Sequence, residues 1–292
     1  MHRCYPEVMK RVCFFHAGCP DGFGAVWSAW RAWGDDARYV ARGHDDELQT
    51  SLCEGALVAF VDIAPPAESV PALVEAADRI VVLDHHVSAR ARFEGDPAVD
   101  RALTGGHHTI HFDLEHSGAV LAWQYFHPGE LTPPILRYVE DQDLWNWKLP
   151  RTEEVNAALG SYSRDFETWN ELAARPIEEL ADEGVSIVRT QLREVERALH
   201  DAHPIALGTE RIEGINSTYQ RAPIGHELAK RATYGKPWGI VYRIRADRID
   251  ATLYSIGDID VASVAERYGG GGHRNAAGFS VPLRSWLDDF VV

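Results

Sequence analysis

Continuous apolar runs separated by stretches of helical periodicity mark the first third of the chain: Val12-Cys13-Phe14-Phe15, Leu57-Val58-Ala59-Phe60-Val61 and Ile80-Val81-Val82-Leu83. Strands that lack polar alternation are buried on both faces, so the pattern predicts a mainly parallel sheet covered by helices on either side. Each run stops at a residue able to bind a metal: His16, Asp62, and the triplet Asp84-His85-His86. Ligands of such sheets lie outside the carboxyl ends of the strands, so these side chains are expected to converge. A single Asp after a strand often caps the next helix, but three such ends favour a shared site. Carboxylate oxygens mixed with imidazole nitrogens suit Mn²⁺, Mg²⁺, Fe²⁺ or Zn²⁺.

The βα alternation continues with a helix over 22–33, a short strand at 37–40, a helix over 68–77 and a strand at 79–83. Trp27, Trp30 and Trp33 recur every three residues, a spacing of core packing rather than base stacking. Ser117 reads as the N-cap of a helix to about residue 126, and Pro133 starts another that reaches Asp141. Residues 144–150, with Trp145 and Trp147, read as a packed aromatic loop, and Asp143 as a turn residue before it. A long helical pattern over 178–200 ends before Pro204. Beyond it, strands near 205–215, 239–244 and 250–254 alternate with helices over 223–234 and 261–268. The expected organisation is α/β: a doubly wound N-terminal domain over 1–185, a connecting helix over 186–204 and a smaller α/β domain over 205–292, with the active site in the cleft between the domains.

Length and composition agree with two ordinary globular domains: 292 residues, 45% hydrophobic and 25% charged. No apolar run approaches the roughly 20 residues needed to span a bilayer, and the N-terminus, with His2, Arg3 and Glu7, lacks a signal-peptide core, so a cytoplasmic protein is expected. Cys4, Cys13, Cys19 and Cys53 form no paired framework, which argues against structural disulfides. The net charge of −15 excludes a surface built to grip duplex DNA along its length. Its distribution is uneven. Residues 221–284 hold ten Lys and Arg against six Asp and Glu, a local +4, which leaves −19 for the rest. A carboxylate-rich part able to hold cations is thus joined to a mildly basic one able to hold anions.

The C-terminal part ends in Gly269-Gly270-Gly271-Gly272-His273-Arg274-Asn275-Ala276-Ala277-Gly278. With Asp84-His85-His86 after a strand, and in this order and spacing, the chain resembles the DHH phosphoesterase superfamily with its DHH-associated C-terminal domain, over nearly its whole length. Relatives in that superfamily include RecJ-like exonucleases, oligoribonucleases, cyclic-dinucleotide phosphodiesterases and family II pyrophosphatases. The resemblance implies two divalent cations, Mn²⁺ first and Mg²⁺, Fe²⁺ or Zn²⁺ as alternatives, activating a hydroxide. Carried onto this chain, it places His16, Asp21, Asp62, His85 and Asp141 as ligands, with Asp62 bridging both ions. Asp84 would orient an imidazole and His86 would face the phosphate or leaving group.

The first motif departs from the common pattern, in which His is followed by two Asp residues separated by one position. In His16-Ala17-Gly18-Cys19-Pro20-Asp21-Gly22-Phe23, either Phe23 replaces the second Asp or Cys19 the first. The Asp21-Gly22 ending favours the latter, which makes Cys19 a softer ligand or else a buried loop thiol. At the last motif Asp143 competes with Asp141. Gly270, Gly271 and Gly272 let backbone N–H groups approach an anion, and His273 and Arg274 add donors for phosphate or ribose. Arg221, Arg243 and Arg245 are further phosphate candidates. His107, His108, His111 and His116 match no common zinc module and read as a solvent-facing or cleft-lining segment. The expected enzyme is a phosphodiesterase on short single-stranded oligonucleotides or small nucleotide substrates, with no membrane partner, and self-association is compatible with the sequence. A pyrophosphatase or polyphosphatase, and a non-catalytic nucleotide-binding module, are the alternatives.

Overall fold

The computed structural model describes residues 10–43 and 46–292; Cys4 and the N-terminal residues read for a signal segment lie outside them. The chain divides into two units, the first ending at Ile187 and the second starting at Val188.

In the first unit, strands β1 (Lys10–His16), β2 (Arg38–Arg42), β3 (Ala56–Val61), β4 (Arg79–Asp84) and β5 (Thr109–Phe112) form a parallel sheet in the order β2-β1-β3-β4-β5. Helices α1 (Pro20–Trp33), α2 (Val70–Ala76), α3 (Val87–Phe93), α4 (Pro97–Leu103), α5 (Gly118–Phe126), α6 (Pro134–Asp143), α7 (Thr152–Ser161), α8 (Phe166–Ala174) and α9 (Ile177–Ala198) accompany it, and the division between the units falls inside α9. Successive strand residues point to opposite faces, which sorts the apolar runs into two cores. Cys13, Ala59, Val61, Val81 and Leu83 pack against Trp27, Trp123, Leu136 and Trp169, whereas Val12, Phe14, Val58, Phe60, Ile80 and Val82 pack against Leu73, Phe93 and Val99. The sheet is therefore doubly wound, and the chain reverses direction across it between β1 and β3, the switch point where such sheets open a crevice.

The tryptophans of α1 are core: Trp27 is fully buried and stacks on Trp123 at 5.7 Å, and Trp30 stacks on Phe166 at 4.9 Å. The histidine segment is split by the short strand β5, which its brevity and polarity hid in the sequence. His108 Nδ1 accepts from the Ile80 amide at 3.2 Å, and among the described residues none of the four histidines joins a metal-holding group.

In the second unit, β6 (His203–Leu207), β7 (Glu210–Asn216), β8 (Trp238–Ile244), β9 (Arg248–Ser255), β10 (Gly271–His273) and β11 (Ala276–Pro282) form a mixed sheet in the order β10-β11-β9-β8-β7-β6, with only β7 and β8 parallel. Helices α10 (Arg221–Arg231), α11 (Val261–Glu266) and α12 (Leu283–Asp289) complete it. The single strand expected near 205–215 is a hairpin turned at Gly208, whose φ of 63° suits glycine. The glycine run is likewise part of a hairpin rather than an open loop. A Cβ at Gly270 would lie 2.0 Å from the Gly278 carbonyl oxygen, so close strand packing explains that glycine. Among the described residues no helix is long and apolar enough to cross a membrane, and Cys13, Cys19 and Cys53 are free thiols.

Candidate metal centre

Asp62 lies directly after β3, at the crevice end of the sheet, with φ 56°, in the left-handed region that few side chains other than Asn and Asp visit. Its amide donates to the Leu83 carbonyl at 2.9 Å, which ties the turn to β4. Helix α5 begins against it. A Cβ at Gly118 would lie 2.4 Å from the Asp62 Cβ, so only glycine permits this approach.

The two oxygens of Asp62 face different neighbours. Oδ2 lies 3.3 Å from His16 Nδ1 and accepts from the Cys19 thiol at 3.4 Å, and these two groups are 3.2 Å apart. Oδ1 lies 3.0 Å from His85 Nε2, which is also 3.5 Å from Asp21 Oδ2 and 3.6 Å from Asp143 Oδ2. His86 joins the first group, with ligand atoms of His16, Asp62 and His86 all within 4.8 Å of one another; Asp21, His85 and Asp143 meet the same limit on the other side.

Each member is set by its element. His16 ends β1. Cys19 is the N-cap of α1, its Sγ accepting from the Gly22 amide at 3.2 Å, a position that Ser, Thr or Asp commonly fills. Gly22 has no alternative, because a Cβ there would lie 2.2 Å from the His16 carbonyl oxygen. Asp21 accepts from the Gly118 and Ala119 amides at 2.7 and 3.0 Å, at the positive end of α5. Asp84, fully buried at the end of β4, accepts through Oδ1 from the amides of His85 and His86 and from His86 Nδ1 at 2.7 Å. Its contacts are thus with His85 and His86 rather than with the oxygens of Asp62.

Asp141 does not join the group. Its carboxylate accepts from the Lys148 and Leu149 amides at 2.8 and 3.1 Å and from the Thr152 hydroxyl, so both oxygens are engaged by the loop after α6. Helix α6 runs two residues past the expected end at 141, and this carries Asp143, on a different face, to His85. The reading of 144–150 as a packed loop also changes: Trp145 and Trp147 are 42% and 41% exposed. Sequence reasoning missed Glu140, which accepts from the Ser117 amide at 3.0 Å and meets His116 at 3.1 Å, holding the start of α5.

Electrostatics fit a centre made for cations. Burial disfavours charge on Asp62, but the bonds from His16 and His85 outweigh it and hold the carboxyl well below its usual range. Burial, then the charges of Asp62 and Asp143, push Asp21 well above its usual range. Burial opposes charge on His85, yet Asp62 and Asp21 raise it to about 10. Burial, then Asp62 and Asp21, raise the Cys19 thiol. Three carboxylates and a thiol crowded this closely repel one another when ionised, the three imidazoles beside them offset part of that repulsion, and divalent cations would offset the rest. The two groups meet at Asp62, which belongs to the first and contacts His85 of the second through Oδ1.

In the second unit, the Arg274 guanidinium donates to the Asp258 carbonyl at 3.1 Å, and Gly271, Gly272 and His273 form β10. Arg243 and Arg245 both meet Asp250 at 3.1 Å, and Arg221 donates to the Thr252 hydroxyl.

No family model matches the chain. It is 25% identical over 296 residues to an uncharacterized protein, R106, of Acanthamoeba polyphaga mimivirus, with 92% of this chain and 67% of that protein covered. Among solved structures it is similar to an exopolyphosphatase-related protein of Bacteroides fragilis, at 13% identity and a TM-score of 0.46 over 93% of this chain and 86% of that one. It is similar also to RecJ of Thermus thermophilus in complex with Mn²⁺, at 16% identity and a TM-score of 0.48; the match spans 96% of this chain but half, 50%, of RecJ. A third is the pGpG-specific phosphodiesterase PggH of Vibrio cholerae, at 13% identity and a TM-score of 0.42, over 95% of this chain and 94% of that one.

Proposed function

We propose that this chain is a divalent-metal-dependent phosphodiesterase acting on short oligonucleotides or cyclic dinucleotides. His16, Cys19 and Asp62 would hold one cation, and Asp21, Asp62, His85 and Asp143 a second. The observation that carries the reading is Asp62, whose Oδ2 and Oδ1 face separate donor groups from a turn at φ 56° at the crevice end of β3. Support comes also from the order of the Asp84-His85-His86 triplet and the C-terminal glycine-rich segment.

Bound there, two cations would neutralise a phosphate and make a water nucleophilic at neutral pH. The chain's own residues supply the rest. Asp84 takes the Nδ1 proton of His86 as a hydrogen-bond acceptor and so fixes the ring, leaving Nε2 as the nitrogen that serves the phosphate or the leaving oxygen. The amides of Gly118 and Ala119 keep Asp21 aimed at His85 whether or not it is ionised. His273 and Arg274, at the end of the β10 hairpin, are the side chains proposed to contact phosphate or ribose, with the amides of Gly270, Gly271 and Gly272 beside them.

The test is turnover in Mn²⁺ of a panel: RNA and DNA of two to five nucleotides, cyclic dinucleotides and inorganic pyrophosphate. Nucleoside monophosphates released from the nucleotide substrates are the expected result. Turnover of pyrophosphate alone would replace the reading by a pyrophosphatase, and binding of nucleotide without turnover or metal by a regulatory module.

A further inference from the structure

The loop that follows Asp143 is built against the ordinary preferences of its residues. Trp145 and Trp147 both stand in the left-handed region, at φ 57° and 53°, where a bulky side chain is a genuine outlier. Burial does not compensate them, since each ring is about two-fifths exposed, at 42% and 41%. The rings instead meet edge to face, with centroids 5.1 Å apart and planes at 81°. The conformation is held from below: the carbonyl of Asp141 accepts from the Asn146 and Trp147 amides at 2.9 and 3.3 Å, and its carboxylate from those of Lys148 and Leu149. A buried acid therefore fixes the backbone so that two aromatic rings stay partly exposed, and backbone strain of this kind clusters at active sites and ligand clamps.

The neighbourhood identifies the ligand. Trp145 follows Asp143 by two residues, so their Cα atoms are at most about 7 Å apart, and the Asp143 carboxylate is at the proposed cation pair. Lys148, exposed just beyond, adds a positive charge. An aromatic face and an ammonium within a nucleotide's length of a phosphate-activating centre match a nucleobase attached to the reacting phosphate. We propose that Trp145 and Trp147 form a base-stacking platform for the nucleotide whose phosphate is cleaved. This deepens the phosphodiesterase reading and rests on it for the placement of the phosphate. Stacking is tolerant of sequence because every base offers a π face, so the platform would select for nucleotides over bare phosphates without choosing among bases.

The experiment is calorimetric titration of the full chain, loaded with Mn²⁺, with adenosine monophosphate and with ribose 5-phosphate. Wild type should bind the former roughly tenfold or more tightly. Trp147→Asn should remove most of that preference while leaving ribose 5-phosphate affinity and metal content unchanged; Asn tolerates φ above zero, so the variant relieves strain and keeps the fold. Trp147→Phe should retain the preference. Equal affinities in wild type, or a full preference surviving Trp147→Asn, would overturn the platform. The two readings fail separately: base-dependent binding without phosphodiester turnover sinks only the hydrolase, and turnover without base-dependent binding sinks only the platform.

Discussion

At Cys19 the chain departs most from the pattern it resembles, and the structure gives that departure a place. The thiol caps α1, touches His16 and donates to Asp62 Oδ2, so it stands beside the donors proposed for the first cation. A thiolate makes that position softer than the oxygen-rich one around Asp21, His85 and Asp143. Cys19→Ser should therefore shift the relative affinity of Mn²⁺ over Zn²⁺ by about tenfold or more, and should abolish any thiolate-to-metal charge-transfer band in Co²⁺-loaded protein. An unchanged metal preference and an unchanged spectrum would leave Cys19 a plain helix cap. Much at this scale was legible in the sequence, because a polar residue at the end of an apolar strand has a predictable position in an α/β sheet. His16, Asp62 and His85 come from such ends. Gly118 and Glu140 were not legible, since their importance lies in a close approach and a helix start that only the packed structure brings to Asp62 and Ser117.

At the scale of elements, the difference between Asp141 and Asp143 turns on where α6 ends. Two residues are about 200° of helix, so an end expected at Asp141 and found at Asp143 exchanges the face that reaches the centre. Asp141 instead organises the turn into α7, with its oxygens on two amides and the Thr152 hydroxyl. Asp141→Asn should cost about 1–3 kcal/mol of stability by leaving buried donors badly paired, with cation stoichiometry retained in the folded fraction. Asp143→Asn should do the reverse, keeping stability and weakening the cation held with His85. Thermal melts and metal analysis of the two variants read this directly, and loss of metal from a stably folded Asp141→Asn would restore the sequence-based assignment. The glycine-rich segment shows the same limit: four glycines read as an anion loop, and only the structure shows that strand pairing against Ala276–Pro282 gives Gly270 and Gly272 a steric reason as well.

For the whole molecule, charge bears on the length of the proposed substrate. The acidic first unit offers few partners to a long phosphate backbone, and each contact that a single strand does make adds about −0.7 to the logarithmic salt slope. Cleavage of two- to five-nucleotide substrates should exceed that of a long single strand at one salt concentration, and His273→Ala should raise KM or lower kcat for dinucleotides with metal content intact. Equal efficiency on short and long strands would favour a processive exonuclease. The two α/β units were legible because apolar strands and helical periodicity alternate throughout, whereas β5 and the α7–α8 pair escaped because their apolar content is low or follows no clean period. The central claim is that Asp62 is shared by two cations, and anomalous diffraction from Mn²⁺-loaded crystals tests it most directly. Two peaks about 3.5–4 Å apart are predicted, one beside Oδ2 with His16 and Cys19, the other beside Oδ1 with Asp21, His85 and Asp143. A single peak, or a pair that does not have Asp62 between its members, would contradict it.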